Sequence, residues 1–372
     1  MITEREFDNL TLPIIQMYSE IELELLRLIA ERFNVYDPIT GSMEWWIHKL
    51  EELGGLNQDA VKIISAYSGK TEQEIIKMLN EVGYQSIDTE EIDNLFRNGI
   101  TNLNPEAISI TDVIENSHRE LNQTFRLVKT KALESVKKEY IKVINNAYLE
   151  VSSGIYDGET AIRKGLRKMA DSGITGASYR QKDGRVINVS VEAVIRRDVI
   201  TAVHQTANRA NEKVASDVGA EHYIVSEHLG ARNTGDGHQN HELWQGKIFL
   251  INGSNDEYEN FEEATGYGLV DGLSGANCRH LFWFFFPGIS VMPKSIVNDK
   301  ENSRVYELTK HQRLLERRVR DSKKRVEVAE RSNDTEEEKK ASVFLRKRQK
   351  ELREYVKAHP ELRRQPGREQ IG

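Results

Sequence analysis

Four side chains in the middle of the sequence have the chemistry of transition-metal ligands. His238 and His241 are three positions apart, and Cys278 and His280 are two positions apart. Imidazole nitrogen and thiolate sulfur are the ligand types that Zn²⁺ prefers, and four of them complete a tetrahedral site. The spacing is not that of a standard zinc finger, so a zinc site is one of several interpretations of this segment.

The same segment also offers the parts of an enzymatic centre. Cys278, the only cysteine in the chain, could be a nucleophile that uses one of these histidines as its base. Asp236 or Glu242 would orient that base, and Arg279 would favour the thiolate. A metal-dependent nuclease is a further alternative. No local motif of a known cysteine hydrolase is present, and two histidines with scattered acidic residues lack the recognisable ligand spacing of a metal-dependent nuclease. The sequence also lacks a nucleophile elbow, a phosphate-binding glycine loop and a paired-cysteine zinc signature.

A structural interpretation explains the segment without any reaction. Trp244 and the apolar run from Leu281 to Phe286 would fill a small core, and Arg279 would hydrogen-bond loop carbonyls. A lone buried cysteine usually packs as a small apolar side chain. In this interpretation no residue of the segment is catalytic.

Helices are predicted on both sides of this segment. The longest candidate runs from Thr111 to about Ser152 without an internal Gly or Pro, and another runs from Ser190 to about Val218 before Gly219. A row of polar residues on the second helix is expected to hydrogen-bond a neighbouring strand or loop: Arg196, Arg197, Thr201, His204, Gln205 and Asn208.

The N-terminal part is predicted to be helical as well. Thr71-Glu72-Gln73-Glu74 has the pattern of a capping box that begins a helix, and Gly83 has the position of its C-terminal cap. A short helix is expected from about Asp88 to Gly99. An apolar stripe at helical spacing precedes them: Ile14, Ile15, Tyr18, Ile21, Leu25, Leu28 and Ile29.

Strands are expected only around the central segment. Residues 178–189 alternate around Lys182-Asp183-Gly184 and predict a hairpin, and residues 223–226 and 247–250 are short strand candidates. Charged helix returns from Arg304 to about Lys357, with a break near 332–334. The predicted fold class is therefore mainly α with a small α+β domain. Four segments are expected: an acidic helical domain (1–104), a long helix and connector (105–175), the α+β domain (176–295) and a basic helical tail (296–372).

Charge is distributed unevenly along the chain. The formal net charge is −7, but residues 301–372 hold 21 Lys and Arg against 14 Asp and Glu, a net of +7. Residues 1–300 carry 31 basic and 45 acidic residues, a net of −14. A basic tail can contact DNA or an acidic partner, although a solvated helix of mixed charge is the alternative. The candidate contact residues are Arg313, Arg317, Arg318, Arg320, Lys323, Lys324 and Arg325.

The central segment also resembles a known family. His241, the run from Trp244 to Phe249 and the closing Asn277-Cys278-Arg279-His280 resemble the Mu F-like head-morphogenesis domain of tailed phages. His280 stands where many members have cysteine, a change that keeps a metal-ligand side chain and removes any possible disulfide there. The whole chain is similar to the minor capsid protein 2 group. The motif residues are Trp244, Gly246, Lys247, Asn277, Cys278, Arg279 and His280.

The resemblance implies a phage minor capsid protein and not a metabolic enzyme. It implies a virion component, made in the bacterial host cytoplasm, that lies in the capsid interior or at the portal vertex. Its expected role is head assembly and genome packaging or delivery. The expected partners are the portal protein, the scaffold or major capsid protein, and packaged DNA through the basic tail, with no membrane. A nuclease or Cys/His hydrolase built on residues 236–280 is the alternative, and zinc is the one cofactor considered.

Overall fold

The computed structural model confirms the predicted fold class, mainly α with small antiparallel sheets. It describes residues 2–39, 42–181, 183–295 and 297–371. Ten α-helices are assigned in these ranges: α1 (Glu4–Ala30), α2 (Met43–Glu51), α3 (Leu53–Gln85), α4 (Thr89–Arg97), α5 (Thr111–Ser152), α6 (Gly158–Ser172), α7 (Val191–Val218), α8 (Phe261–Thr265), α9 (Asp299–Arg331) and α10 (Thr335–Ala358). The assigned strands are β1 (Thr175–Arg180), β2 (Val186–Ser190), β3 (His222–Val225), β4 (Ile248–Leu250) and β5 (Phe282–Phe285). Among the described residues, no helix is both long and apolar enough to cross a membrane.

Most of the predicted helices are confirmed. Helix α5 has the predicted bounds, and α7 ends before Gly219, whose φ of 73° places it in the left-handed region that glycine adopts easily. The break between α9 and α10 falls at 332–334, where Asp334 accepts a hydrogen bond from the Glu337 amide as the N-cap of α10. All seven residues of the apolar stripe on α1 are buried.

The predicted capping box at Thr71 and the predicted C-cap at Gly83 are wrong. Helix α3 continues from Leu53 to Gln85 through both positions. The Thr71 hydroxyl donates to the Tyr67 carbonyl one turn earlier, as threonine inside a helix often does. Gly83 packs closely on Ile110, since a Cβ there would lie 2.7 Å from Cδ1 of that side chain. A long-range contact thus overrides the local signal for a helix end.

The predicted hairpin is confirmed as the antiparallel pair β1–β2, with Tyr179 opposite Ile187. Its turn contains Gly184 at a φ of 84°, whereas Lys182 lies outside the described residues. A second sheet has the order β4-β3-β5 and is antiparallel throughout. The strand candidates 223–226 and 247–250 correspond to β3 and β4, and the apolar run at 281–286 forms the third strand, β5.

The chain divides into two compact units, and each is assembled from three separate segments. Unit 1 comprises 1–13, 73–122 and 197–310, and it contains the sheet β4-β3-β5. Unit 2 comprises 14–72, 123–196 and 311–372, and it contains the hairpin β1–β2 and helix α10. Five helices, α1, α3, α5, α7 and α9, contribute residues to both units. The predicted segments followed the chain in order, whereas the compact units draw on distant parts of it.

A buried group of paired charges lies inside unit 2. The Lys324 ammonium is 2.7 Å from a Glu22 oxygen and 3.5 Å from a Glu192 oxygen, and Arg320 lies 2.7 Å from Glu192. Glu22 also accepts a hydrogen bond from the Glu192 amide. Burial opposes ionisation of Glu192, but the charges of Arg320, Lys324 and Arg196 outweigh it and hold its pKa at about 2. Because that pKa lies below the ordinary glutamate value, this carboxylate stabilises the fold at neutral pH, and the contribution is lost as pH falls toward 2.

Replacing Lys324 with Met is expected to destabilise the protein by about 3 kcal/mol or more, because it leaves two buried carboxylates with less compensating charge. Urea denaturation followed by circular dichroism measures the change. Lys131→Met is the matched control in the same unit, since Lys131 forms an exposed pair with Glu134 at 3.0 Å. Its expected cost is below about 1 kcal/mol. Equal effects of the two substitutions would contradict a stabilising role for the buried group.

Candidate functional site

Three of the four predicted metal ligands converge in unit 1. His241 begins a short 3-10 helix (His241–Leu243), and Cys278 and His280 lie just before β5. One ring nitrogen of each histidine and the cysteine sulfur all lie within 4.8 Å of one another. All three residues are buried. We refer to His241, Cys278 and His280 as the His/Cys centre.

His238, the fourth predicted ligand, has other partners. Its Nε2 lies 3.1 Å from a carboxylate oxygen of Asp271, and its backbone carbonyl accepts a hydrogen bond of 2.9 Å from the Trp244 indole. The His238 side chain is 30% exposed, in contrast to the buried His/Cys centre. The geometry thus separates the two histidines that the three-residue spacing had grouped.

Aromatic rings surround the His/Cys centre. The Trp244 ring lies 4.5 Å from that of His241 and 4.8 Å from that of His280, measured between centroids, so Trp244 packs in a core as the structural interpretation predicted. The imidazole of His228 stacks on His280 at 4.3 Å. Sequence reasoning missed His228, because it lies 13 positions before His241 and belongs to no recognisable spacing.

Both histidines of the centre are neutral at pH 7. Burial lowers the pKa of His241 to about 4 and the pKa of His280 well below the ordinary histidine value. The Nε2 of His241 lies 3.0 Å from the Asp271 carbonyl oxygen, and that of His280 lies 3.2 Å from Oε1 of Gln245. Each imidazole therefore has one nitrogen held by an oxygen acceptor.

Cys278 does not have the surroundings of a nucleophile. Burial raises the pKa of its thiol to about 11, so the sulfur is protonated at neutral pH. The Arg279 guanidinium lies 3.3 Å from an Asp8 carboxylate oxygen. Glu242, a proposed orienting group, accepts a hydrogen bond from Asn302. A protonated, buried thiol favours a structural or metal-binding role over attack on a substrate.

The expectation that Arg279 would hydrogen-bond loop carbonyls is wrong. Arg232 makes those bonds, to the carbonyl oxygens of Asp271 at 3.0 Å and of Ala276 at 3.2 Å. Arg279 instead pairs with Asp8 on α1, which no short-range pattern could indicate. Arg232 itself could have been suspected only as an arginine at the edge of a glycine-rich segment.

The remaining motif residues shape the backbone around the centre. Gly246 has a φ of 71°, and a Cβ there would lie 2.8 Å from a Glu227 carboxylate oxygen. The Lys247 carbonyl accepts from the Val225 amide and extends the ladder between β3 and β4. Asn277 has a φ of 59°, which asparagine tolerates better than most residues. These positions define a loop conformation.

The predicted role of the polar row on α7 is confirmed for three residues. The Asn208 amide donates to Oγ of Ser274 at 2.6 Å and to the His280 carbonyl at 3.1 Å, and its oxygen accepts from the Phe282 amide. Gln205 donates to the Ser274 carbonyl, and the Thr201 hydroxyl accepts from the Asn277 amide. Helix α7 thus holds the loop that carries Cys278.

The basic residues predicted to contact DNA or a partner occupy different environments in unit 2. Lys324 and Arg320 belong to the buried group of charges, and Arg325 donates to Asp171 at 2.8 Å. Arg313 and Arg317 are exposed. The remaining two candidates contact surface groups: Arg318 lies 3.6 Å from Glu351, and Lys323 donates to Gln370. The contact itself stays a prediction.

The family profile and the similar proteins found by comparison all belong to phage structural proteins. The profile of the family described as Phage minor capsid protein 2 matches residues 2–357. A protein named "Structural protein" from Lactococcus phage LL-H is 23% identical over 341 residues, which cover 88% of each chain. Another of the same name, from Lactococcus phage mv4, is 35% identical over 106 residues, which cover 28% of this chain and 86% of its own. No solved structure matches the chain significantly.

Replacing Asn208 with Ala is expected to destabilise the protein by about 2–3 kcal/mol, because it leaves the Phe282 amide and the His280 carbonyl buried without a partner. Thermal denaturation followed by tryptophan fluorescence measures the loss. Asn80→Ala is the matched control. Among the residues that the structure describes, the Asn80 amide donates only to the Ile76 carbonyl of its own helix. Alanine is the better helix former there, so little change is expected. A stable Asn208→Ala variant would show that α7 does not hold the loop.

Proposed function

Because the chain belongs to the phage minor capsid protein 2 family, we propose that it acts at the portal vertex, in head assembly and in genome packaging or delivery. Family membership makes the protein a minor structural component of the phage virion. One observation carries the proposal: the match extends over residues 2–357 and therefore includes parts of both units. The location at the portal vertex and the role in packaging go beyond what family membership gives.

The environment of the His/Cys centre supports a structural role. Cys278, His241 and His280 are buried, and their polar neighbours are loop backbone and side-chain amides. Such a centre stabilises a fold, whereas contacts with other virion proteins need exposed groups. The surfaces of the helices are therefore the better candidates for binding.

Helix α10 of unit 2 offers one such surface. Val343 and Phe344 are adjacent and are 58% and 53% exposed. Arg346 and Lys347, one turn or less away, are exposed too. An apolar centre with a charged rim is the usual composition of a protein–protein interface. We assign this patch, Val343, Phe344, Arg346 and Lys347, to a contact with the portal protein.

DNA contact through the basic tail is a second candidate function, supported by the net charge of +7 over residues 301–372. The buried ion pairs of Arg320 and Lys324 restrict it to the exposed arginines. Arg313 and Arg317 lie four positions apart on α9, so they are on the same face of that helix. Two positive charges on one face can each neutralise a phosphate.

Val343→Asp combined with Phe344→Asp is expected to reduce co-purification with the portal protein by at least about tenfold, because it places charge in the centre of the patch. Co-expression with tagged portal protein, followed by quantitative immunoblotting of the eluate, measures the loss. Leu127→Asp with Leu149→Asp is the matched control, since both leucines are exposed helix residues of unit 2 but are isolated from each other. Absence of the wild-type protein from purified procapsids and virions would overturn the proposed location.

Arg313→Glu combined with Arg317→Glu is expected to weaken binding to duplex DNA. It should reduce the slope of log affinity against log salt by about 2, or about 0.9 for each lost phosphate contact. Fluorescence anisotropy at several salt concentrations gives the slope. Lys137→Glu with Lys138→Glu is the control, since these exposed lysines of α5 lie outside the basic tail. If the control lowers affinity equally, the tail has no special contact with DNA.

A further inference from the structure

We propose that His241, Cys278 and His280 bind one divalent transition-metal ion, preferentially Zn²⁺. The ion stabilises the largely irregular stretch of unit 1 between His241 and Cys278. Three residues form this site rather than the four that the sequence suggested, because His238 pairs with Asp271. It is independent of where the protein lies in the virion.

The distances suit a tetrahedral ion. Zn–N bonds of about 2.1 Å and Zn–S bonds of about 2.3 Å place neighbouring ligand atoms about 3.3–3.8 Å apart. The Cys278 sulfur lies 3.7 Å from Nδ1 of His280, and all three donor atoms lie within 4.8 Å of one another. The His241 ring therefore needs to approach the pair by at most about 1.5 Å to complete the three ligands.

Hydrogen bonds fix the tautomer that a metal requires at His280. Oε1 of Gln245 also accepts from the His228 amide at 3.0 Å, which identifies it as the oxygen of that side chain. The 3.2 Å contact with Gln245 therefore requires a proton on Nε2 of His280. Its Nδ1 then carries the lone pair that accepts from the Cys278 thiol at 3.7 Å, and loss of the thiol proton leaves both atoms able to bind a metal ion.

A hydrogen bond also fixes the tautomer of His241. The Asp271 carbonyl oxygen can only accept a hydrogen bond, so the 3.0 Å contact places the proton on Nε2 and the lone pair on Nδ1. Metal-bound histidines commonly donate their second nitrogen to a carbonyl or carboxylate, which orients the ring and increases its basicity. Asp271 and Gln245 supply such outer contacts for both rings.

The position of the three ligands explains what an ion would stabilise. His241 and Cys278 are separated by a stretch that contains only the strand β4 and the five-residue helix α8 among its regular elements. The chain has one cysteine and cannot cross-link this stretch by an internal disulfide. An ion would join its two ends, and it would replace the thiol proton of Cys278, which is released to solvent. Water can supply the fourth ligand of a tetrahedral ion.

Cobalt and zinc titrations of the full-length protein test the proposal. After treatment with a chelator, the protein is expected to bind one equivalent of Zn²⁺ and to unfold at a higher temperature when loaded. Co²⁺ should give a thiolate-to-cobalt charge-transfer band and the strong visible bands of tetrahedral coordination. Since Cys278 is the only cysteine, that band assigns the ligand without any substitution. Failure to bind either ion stoichiometrically, or a cobalt spectrum without the band, would overturn the proposal.

Substitutions separate the ligands from their neighbour. Cys278→Ser and His241→Asn are each expected to weaken Zn²⁺ binding at least about tenfold, measured by competition with a chromophoric chelator. His238→Asn is the matched control, because it removes a histidine of the same loop that pairs with Asp271. It should keep the wild-type stoichiometry and the cobalt band. A loss of binding in His238→Asn equal to that in His241→Asn would contradict the three-ligand assignment.

Discussion

The structure of unit 1 depends on side chains that satisfy the backbone of a long irregular segment. Buried amide and carbonyl groups must be paired, and loops cannot pair them in a regular ladder. Asn208 accepts from the Phe282 amide and donates to the His280 carbonyl. Asn302, fully buried, accepts from the amides of Gly230 and Ala231 and donates to the Ala231 carbonyl. Two asparagines from helices on either side in sequence therefore hold this part of the fold.

The buried His/Cys centre of unit 1 and the buried group around Lys324 in unit 2 differ in charge state. In unit 1 the buried titratable groups of the His/Cys centre are neutral, because burial lowers the pKa of His241 to about 4 and raises that of Cys278 to about 11. In unit 2 the buried group around Lys324 remains charged, because Lys324 lies between Glu22 and Glu192. A neutral imidazole can bind a metal ion through its lone pair and a thiol can exchange its proton for one, whereas the carboxylates of the buried ion pairs are already occupied by Lys324 and Arg320. Of these two buried groups, the His/Cys centre is therefore the one that can take up an ion.

Local sequence signals predicted elements well where tertiary contacts agreed with them. The bounds of α5, the hairpin around Gly184 and the break before α10 all follow from periodicity and turn or cap residues. The signals failed where a distant residue decided the outcome. Gly83 packs against Ile110, and Arg279 pairs with Asp8, a contact that spans most of the chain. The burial of Lys324 beside Glu22 was equally invisible, because charge counts treat every lysine as exposed.

The central motif is informative about the fold for the same reason that it is poor evidence for a reaction. His280 uses its backbone carbonyl for Asn208 and its Nε2 for Gln245, so the position is constrained from two sides before any ligand is considered. His280 is also buried, so its side chain is not available to a partner. Binding to other proteins requires exposed residues, and Val343 and Phe344 are both more than half exposed. The residues of the central motif therefore stabilise the fold of unit 1. Residues that determine partner specificity are to be sought on the helix surfaces.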